Sequence, residues 1–299
     1  RTPKSFTAGA SICVRTDVLT KKKYTQNVVA FVEGSHPVLK NQYVVIGAHY
    51  DHIGMGGKGS SSRMPDTLAV HNGADDNASG VAAILEIGQK LAANPPQRSV
   101  LVVAFGAEEL GLLGSRYFTE YPLVPLDSVV AMVNIDMIGR LNDERTLQVG
   151  GYKTSLEAEE ILNRVNQNFN FNLALSPQGY GPSDHASFYS KSIPVFFFTS
   201  GAHVDYHTPN DVIDYINFEG LVESSKFIYD VVKDVANASA PLAFQEAGPA
   251  APSSRHGREL KVRLGIMPDV SGARNDGLTV LAVTEGQPAF VAGLKRGDI

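Results

Sequence analysis

Eight side chains stand out by type and setting: His49, Asp51, Asp75, Asp76, Glu108, Glu109, Asp136 and His207. His49 and Asp51 follow the apolar run YVVIGA, Glu108 and Glu109 follow VLVVAFGA, and Asp136 follows VVAMVNI. Asp75 and Asp76 lie in the loop NGADDNASG, and His207 lies in DYHTPNDVIDYI. Aspartate, glutamate and histidine gathered without cysteine suit borderline or hard divalent ions such as zinc, manganese or cobalt. Hydrolytic sites with two such ions set them about 3.5–4 Å apart, spanned by a carboxylate and a water made acidic by the metals. In such a site one of two adjacent glutamates can bind metal while its neighbour stays free as a general base, and the metal charge relieves their mutual repulsion.

These groups need a frame. Residues 26–34, 42–49, 98–109, 129–139, 146–151 and 193–201 carry the β-branched apolar runs expected of buried strands. Residues 77–94, 110–121, 155–170 and 217–238 carry helical spacing. In the last of these, Phe218, Leu221, Val222, Ile228, Val231, Val232 and Val235 fall on one stripe. Strands alternating with helices predict an α/β fold with a mostly parallel central sheet and helices on both faces. Ligands of such sheets gather outside the carboxyl ends of the strands, and three strand ends here deliver acid or imidazole groups to one side of the sheet. Phe196, Phe197 and Phe198 sit within a strand and are assigned to the core.

The chain has 299 residues, 43% of them hydrophobic, and a formal net charge of −5. No basic stripe or block appears, which argues against nucleic acid or an anionic membrane as partner. No apolar run reaches the length of a membrane span. Cys13 is the single cysteine, which excludes an intrachain disulfide and a cysteine-built zinc site. The chain begins at Arg1 and shows no signal peptide, as a processed or trimmed chain would. Residues 1–24 look like the remainder of an upstream segment, 25–239 form the catalytic domain, and the Ala/Pro/Ser-rich residues 240–258 are expected to be a linker. Residues 259–299 form a second module.

The motifs GAHYDH, NGADDNASG, FGAEELGLLGS, NIDMIG, YGPSDHASF and YHTPNDVIDYI, in this order over roughly residues 25 to 237, resemble the two-zinc aminopeptidases of the bacterial secreted leucine aminopeptidase type. Glutamate carboxypeptidase and glutaminyl cyclase belong to the same superfamily. The resemblance implies a zinc-exopeptidase fold and two divalent metal ions, most simply zinc. His49 and Asp136 would hold one ion, Glu109 and His207 the other, and Asp75 would bridge them, leaving Asp76 as a turn or helix-capping residue. Glu108 would be the general base, taking a proton from a metal-bridging water and passing it to the leaving amine. Asp51 would accept a hydrogen bond from His49 and fix its tautomer. Tyr180 would help stabilise the oxyanion, although Gly181 and Pro182 stand where family members can carry a disulfide. Met137 would face the pocket for the substrate's N-terminal side chain, and the Asp75–Asp76 peptide bond would be cis.

His52 and His185 are expected to pack behind the ligands, His71 and His203 to line the cleft, and Asp184, Asp211 and Asp214 to anchor loops. The implied activity is removal of apolar N-terminal residues from peptides with a free N-terminus, by an enzyme exported to the periplasm or medium. The alternatives are a dipeptidase or carboxypeptidase, for which Arg140 is the candidate carboxylate anchor, a glutaminyl cyclase, or a non-catalytic peptide-binding protein. Residues 259–299 resemble the first part of a bacterial PDZ domain and would bind C-terminal peptides by adding a strand to a sheet edge.

Overall fold

The computed structural model describes residues 23–247, 264–268, 280–283, 288–295 and 297–299. The upstream segment through residue 22, with Cys13, residues 248–258 of the expected linker and much of the expected second module lie outside the described residues.

A seven-stranded sheet forms the centre, in the order β1-β3-β2-β4-β7-β5-β6. Its strands are β1 (Val28–Val32), β2 (Tyr43–His49), β3 (Ser99–Phe105), β4 (Val129–Ile135), β5 (Thr146–Gly150), β6 (Asn172–Ser176) and β7 (Val195–Thr199). The pairs β2–β3, β2–β4, β4–β7 and β5–β6 are parallel. The pairs β1–β3 and β5–β7 are antiparallel. The sheet is therefore mixed, with the expected parallel arrangement in its middle.

Helices α1 (Gly80–Ala93), α3 (Ala158–Asn166) and α5 (Phe218–Asn237) share one apolar core with the sheet. Residues of α2 (Leu113–Glu120) and α4 (His185–Tyr189) join a second core. Side chains alternate across a strand, and β3 sends Val100 and Val102 to the first core and Leu101, Val103 and Phe105 to the second. Both faces are buried, which is why this strand reads as an unbroken apolar run. On α5 the buried stripe runs through Phe227, Ile228, Val231, Val232 and Val235, while Phe218 and Val222 are exposed, contrary to the sequence expectation. The first turns already meet the core through Gly220, Leu221 and Ser224, and Phe218 and Val222 project from the side of the helix away from that stripe.

Two further differences concern edges. Strand β6 was not foreseen; it has one exposed residue, three half-buried ones and only Ser176 buried, so it lacks a strong apolar pattern. Residues 240–247 do not behave as a free linker: Leu242 is buried in the first core, and the Ala247 N–H donates to the Tyr189 hydroxyl at 2.8 Å. In the C-terminal residues, β8 (Ile266–Pro268) and β9 (Val280–Val283) pair antiparallel. No described helix is long and apolar enough to cross a membrane.

The chain runs from β2 through α1 to β3 on one side, then through α2 to β4 on the other side of β2. Strand order thus reverses around β2, which opens a crevice at the carboxyl ends of β3, β2 and β4. His49 ends β2, Glu108 and Glu109 follow β3, and Asp136 follows β4.

Candidate metal centre

The geometry centres on Asp76. Its Oδ1 lies 3.3 Å from His49 Nε2, which is in turn 3.4 Å from Asp136 Oδ1. Its Oδ2 lies 3.2 Å from His207 Nε2, which is also 3.2 Å from Glu109 Oε2. One carboxylate thus faces two imidazole–carboxylate pairs, one with each oxygen. His49, Asp76 and Asp136 are grouped closely enough to hold one cation, and His52, Asp76 and Glu109 form a second such group.

This corrects the expectation for Asp75, which is buried but turned away from the cleft. Its Oδ1 accepts from the Gly139 N–H at 2.6 Å and from the Ser79 hydroxyl at 2.9 Å, and its Oδ2 lies 3.3 Å from His203 Nε2. Residues 74–79 form an irregular turn whose Asp76 and Asn77 have non-helical torsions, so neighbouring side chains diverge. The cis peptide bond is Asp76–Asn77, one residue later than expected. Asn77 locks the turn to the end of β4, donating to the Ile135 carbonyl at 2.9 Å and accepting from the Met137 N–H at 3.2 Å.

Asp51 is corrected as well. His49 Nδ1 bonds the main-chain carbonyl of Asp51 at 3.0 Å, and the Asp51 carboxylate is 3.8 Å from that nitrogen. The carboxylate instead accepts the N–H groups of Glu108 at 2.9 Å and Glu109 at 3.3 Å, fixing the turn that presents both glutamates. A carbonyl oxygen only accepts, so His49 Nδ1 carries a proton, and the ring would offer a cation its Nε2 lone pair once any Nε2 proton has left. His207 repeats the device through Nδ1 to the Ser61 carbonyl at 3.1 Å. Such an outer partner for the second nitrogen is the usual support of a metal-binding histidine.

Buried polar atoms test the fit to a metal. Asp76 Oδ2, Glu109 Oε1 and Asp136 Oδ1 are buried against imidazole nitrogens at 3.2, 2.9 and 3.4 Å without an aligned hydrogen bond among the described residues, and such buried groups are costly unless a ligand satisfies them. Oxygen and imidazole donors arranged in this way fit two divalent ions, and the residues present therefore fit the group. His52, placed behind the site by sequence reasoning, has Nδ1 2.9 Å from Glu109 Oε1. It is the residue of the cluster that spacing alone missed. Its signal was its place in GAHYDH, three residues after His49.

Charge balance points the same way. Burial opposes protonation of His49, but Asp136 and Asp76 raise its pKa well above the usual value. Burial likewise works against the His207 cation, yet Asp76 and Glu109, each with an oxygen 3.2 Å from Nε2, lift its pKa to about 10. The paired carboxylates of Asp76 and Glu109, despite burial that favours their neutral forms, are held below the ordinary range by these imidazoles. Divalent cations would displace the imidazole protons and take over that pairing. Glu108 is different: burial, reinforced by Asp136, Asp184 and Glu109, raises it to about 9. Nearby divalent charge would draw it back toward ionisation.

A cleft of about 640 Å³ opens over this cluster. Glu108, Tyr180 and Met137 line it, as expected, with Val149, Ala174 and Phe197 among the apolar walls. Phe197 thus leaves the assigned core, while Phe196 and Phe198 remain buried in it, as strand alternation requires. His185 also lines the cleft, stacked on Phe197 at 4.4 Å with an interplanar angle of 10°. His71 does not; it is buried against the Ser62 hydroxyl at 2.8 Å. Neither does His203, which is held by Asp75. Tyr206 is a second phenol on the cleft, stacked on His207 at 3.8 Å. Asp211 anchors its neighbours, accepting the N–H groups of Asp75 and Asp76 at 3.0 Å. Arg140 is drawn to Asp205 at 3.3 Å and Asp211 at 3.5 Å, and does not line the cleft. Arg63, which sequence reasoning passed over, does line it.

The model of peptidase family M28 matches residues 27–232. The chain belongs to peptidase family M28. Among its M28-type relatives, the aminopeptidase YwaD of Bacillus subtilis (strain 168) is 30% identical over 184 residues, 56% of this chain and 40% of that protein. A probable leucine aminopeptidase 1 of Trichophyton verrucosum is 30% identical over 255 residues, 77% of this chain and 63% of that one. The crystal structure of BSAP, a zinc aminopeptidase from Bacillus subtilis, aligns with a TM-score of 0.58 at 26% identity, covering 74% of this chain and 53% of that one. The chain spans roughly half the length of the relatives it matches. The M28 match ends near the end of α5 and does not reach the C-terminal residues.

Proposed function

We propose that this M28 chain is a zinc-dependent aminopeptidase with two metal ions that removes apolar N-terminal residues from peptides. The observation that carries the reading is Asp76, whose two oxygens face two separate imidazole–carboxylate pairs. His49 and Asp136 would hold one ion, His207 and Glu109 the other, and Asp76 both. The likeness to BSAP, a zinc aminopeptidase, and to a probable leucine aminopeptidase supports zinc and the substrate class. Zinc held there would supply Lewis acidity to a scissile carbonyl oxygen and to a water.

The chain's own residues do the rest. Glu108 takes a proton from the attacking water and delivers it to the departing amine. The Asp51 carboxylate holds the Glu108 and Glu109 N–H groups, which sets the direction of both side chains. Tyr180 and Tyr206 are the phenols available to the developing oxyanion, and Tyr206 is kept protonated by burial and by the neighbouring carboxylates. Met137, Val149, Ala174 and Phe197 give the substrate side chain an apolar seat. In the same reading the enzyme is exported, and the C-terminal residues are part of a PDZ module that binds C-terminal peptides.

The test is hydrolysis of leucyl, alanyl and N-blocked leucyl chromogenic amides by zinc-loaded protein, with and without chelator, for wild type and Glu108→Gln. Loss of the general base should lower kcat at least a hundredfold with zinc content unchanged, and only unblocked substrates should be cleaved. Full activity in Glu108→Gln, or cleavage indifferent to chelator, would overturn the assignment.

A further inference from the structure

Among the described residues, Arg63 is the one lysine or arginine on the wall of the cleft, among acids and apolar groups. Its position is fixed at two levels. The Arg63 N–H donates to the His207 carbonyl at 2.9 Å, and Nη1 donates to the carbonyls of Val204 at 3.0 Å and Tyr206 at 3.4 Å. The guanidinium is thus clamped beside the loop that carries His207.

Its electrostatic situation sets it apart. Arg140 and Arg145 each have a carboxylate partner. Arg98, fully buried, donates to the Val235 and Ala238 carbonyls at the end of α5, where a cation meets the negative end of a helix. The hydrogen bonds of the Arg63 side chain among the described residues all leave from Nη1 and end on neutral loop carbonyls. A half-buried guanidinium has five N–H donors in a fixed fork that matches a carboxylate. Among the described residues only Nη1 is engaged, so Nε and Nη2 keep donors for an acceptor that enters the cleft Arg63 lines.

Resting on the aminopeptidase reading, we propose that Arg63 is a specificity-determining residue that binds a carboxylate of the substrate. The enzyme would then favour peptides that place a carboxylate near the scissile bond. The carboxylate is either the C-terminus of a very short peptide or an acidic side chain next to the cleaved bond. Arg140 cannot serve, being tied to Asp205 and Asp211.

The experiment compares pairs that differ only in that charge, in zinc-loaded wild type, Arg63→Gln and Arg63→Lys. The pairs are leucylglycine against leucylglycinamide, leucylglutamic amide against leucylglutaminyl amide, and glutamyl against glutaminyl anilide. Binding of uncleavable D-leucylglycine against its amide, by calorimetry, gives a readout independent of turnover. Wild type should prefer the charged member of at least one pair by about ten- to a hundredfold in kcat/KM, the range of a charge-assisted hydrogen-bonded pair. That ratio should fall toward one in Arg63→Gln and be partly kept in Arg63→Lys. Which pair responds identifies the carboxylate. A merely structural role for Arg63 would lower both members of a pair together and leave the ratio intact. Ratios near one in wild type, or a ratio that survives in Arg63→Gln, would overturn the proposal. Charge-selective binding without cleavage would keep it and sink the hydrolase reading; cleavage without charge preference would do the reverse.

Discussion

Asp211 never touches the cleft, yet the position of Asp76 depends on it. Its carboxylate is fully buried. It accepts the Asp75 N–H at 3.1 and 3.0 Å and the Asp76 N–H at 3.0 Å, with Arg140 Nη2 at 3.5 Å. Asp211→Ala would strand two buried N–H donors and half-release a half-buried arginine that keeps Asp205. Hydrogen bonds to a charged group are worth about 1.5–3 kcal/mol each, and breaking a buried ion pair costs about 3–5 kcal/mol. The contributions overlap, so the expected loss is about 3–5 kcal/mol. Asp211→Asn keeps the shape and one acceptor oxygen and should cost about 1–3 kcal/mol. For a domain of this size a kilocalorie shifts Tm by about 2–4 °C, so the alanine variant should melt about 6–20 °C lower. The assay is thermal unfolding followed by circular dichroism in chelator-treated protein, because bound metal would mask the change by mass action. A zinc titration should then show affinity reduced about tenfold to a hundredfold, the usual effect of losing an outer partner. A Tm within 2 °C of wild type together with unchanged zinc affinity would refute the inferred chain from Asp211 to Asp76.

Further perturbations separate the other parts. Asp76→Ala should abolish zinc binding at both positions, whereas Asp75→Asn should destabilise the fold yet retain two zinc ions, as read by metal analysis after dialysis. His185, whose burial lowers its pKa to about 3, stays neutral in the folded protein while the unfolded chain takes up a proton below about pH 6.5. Its stabilising contribution is therefore present above pH 6.5 and lost as pH falls toward 3. The slope approaches about 1.4 kcal/mol per pH unit; metal-free His185→Phe should show a shallower acid loss in urea titrations than wild type does. Phe198, fully buried between β7 and α5 and edge-on to Phe227 at 6.1 Å, should cost about 3–5 kcal/mol when cut to alanine, measured by urea unfolding.

Much of the site was legible because sheet topology does the gathering. His49, the Glu108–Glu109 pair and Asp136 each follow an apolar run, and three neighbouring parallel strands bring such ends together. Side-chain direction was legible only inside regular elements. In the irregular turn 74–79 no period says which of two adjacent aspartates faces the cleft, and the resemblance pointed one residue too early. Asp51 was tied to His49, but the atom involved is its carbonyl, a contact any residue type could make. His52 and Arg63 escaped for a related reason: they lie in loop segments where no strand or helix period orients them. The helix α5 stripe was drawn too wide at Phe218 and Val222, since apolar residues can flank the buried face without joining it.

The central claim is that Asp76 joins two metal positions. Anomalous diffraction at the zinc edge from zinc-soaked crystals tests it most directly. The account predicts two peaks, one against His49 and Asp136 and one against His207 and Glu109, with one Asp76 oxygen on each. A single peak, or a pair joined by Asp75 with Asp76 turned away, would contradict it.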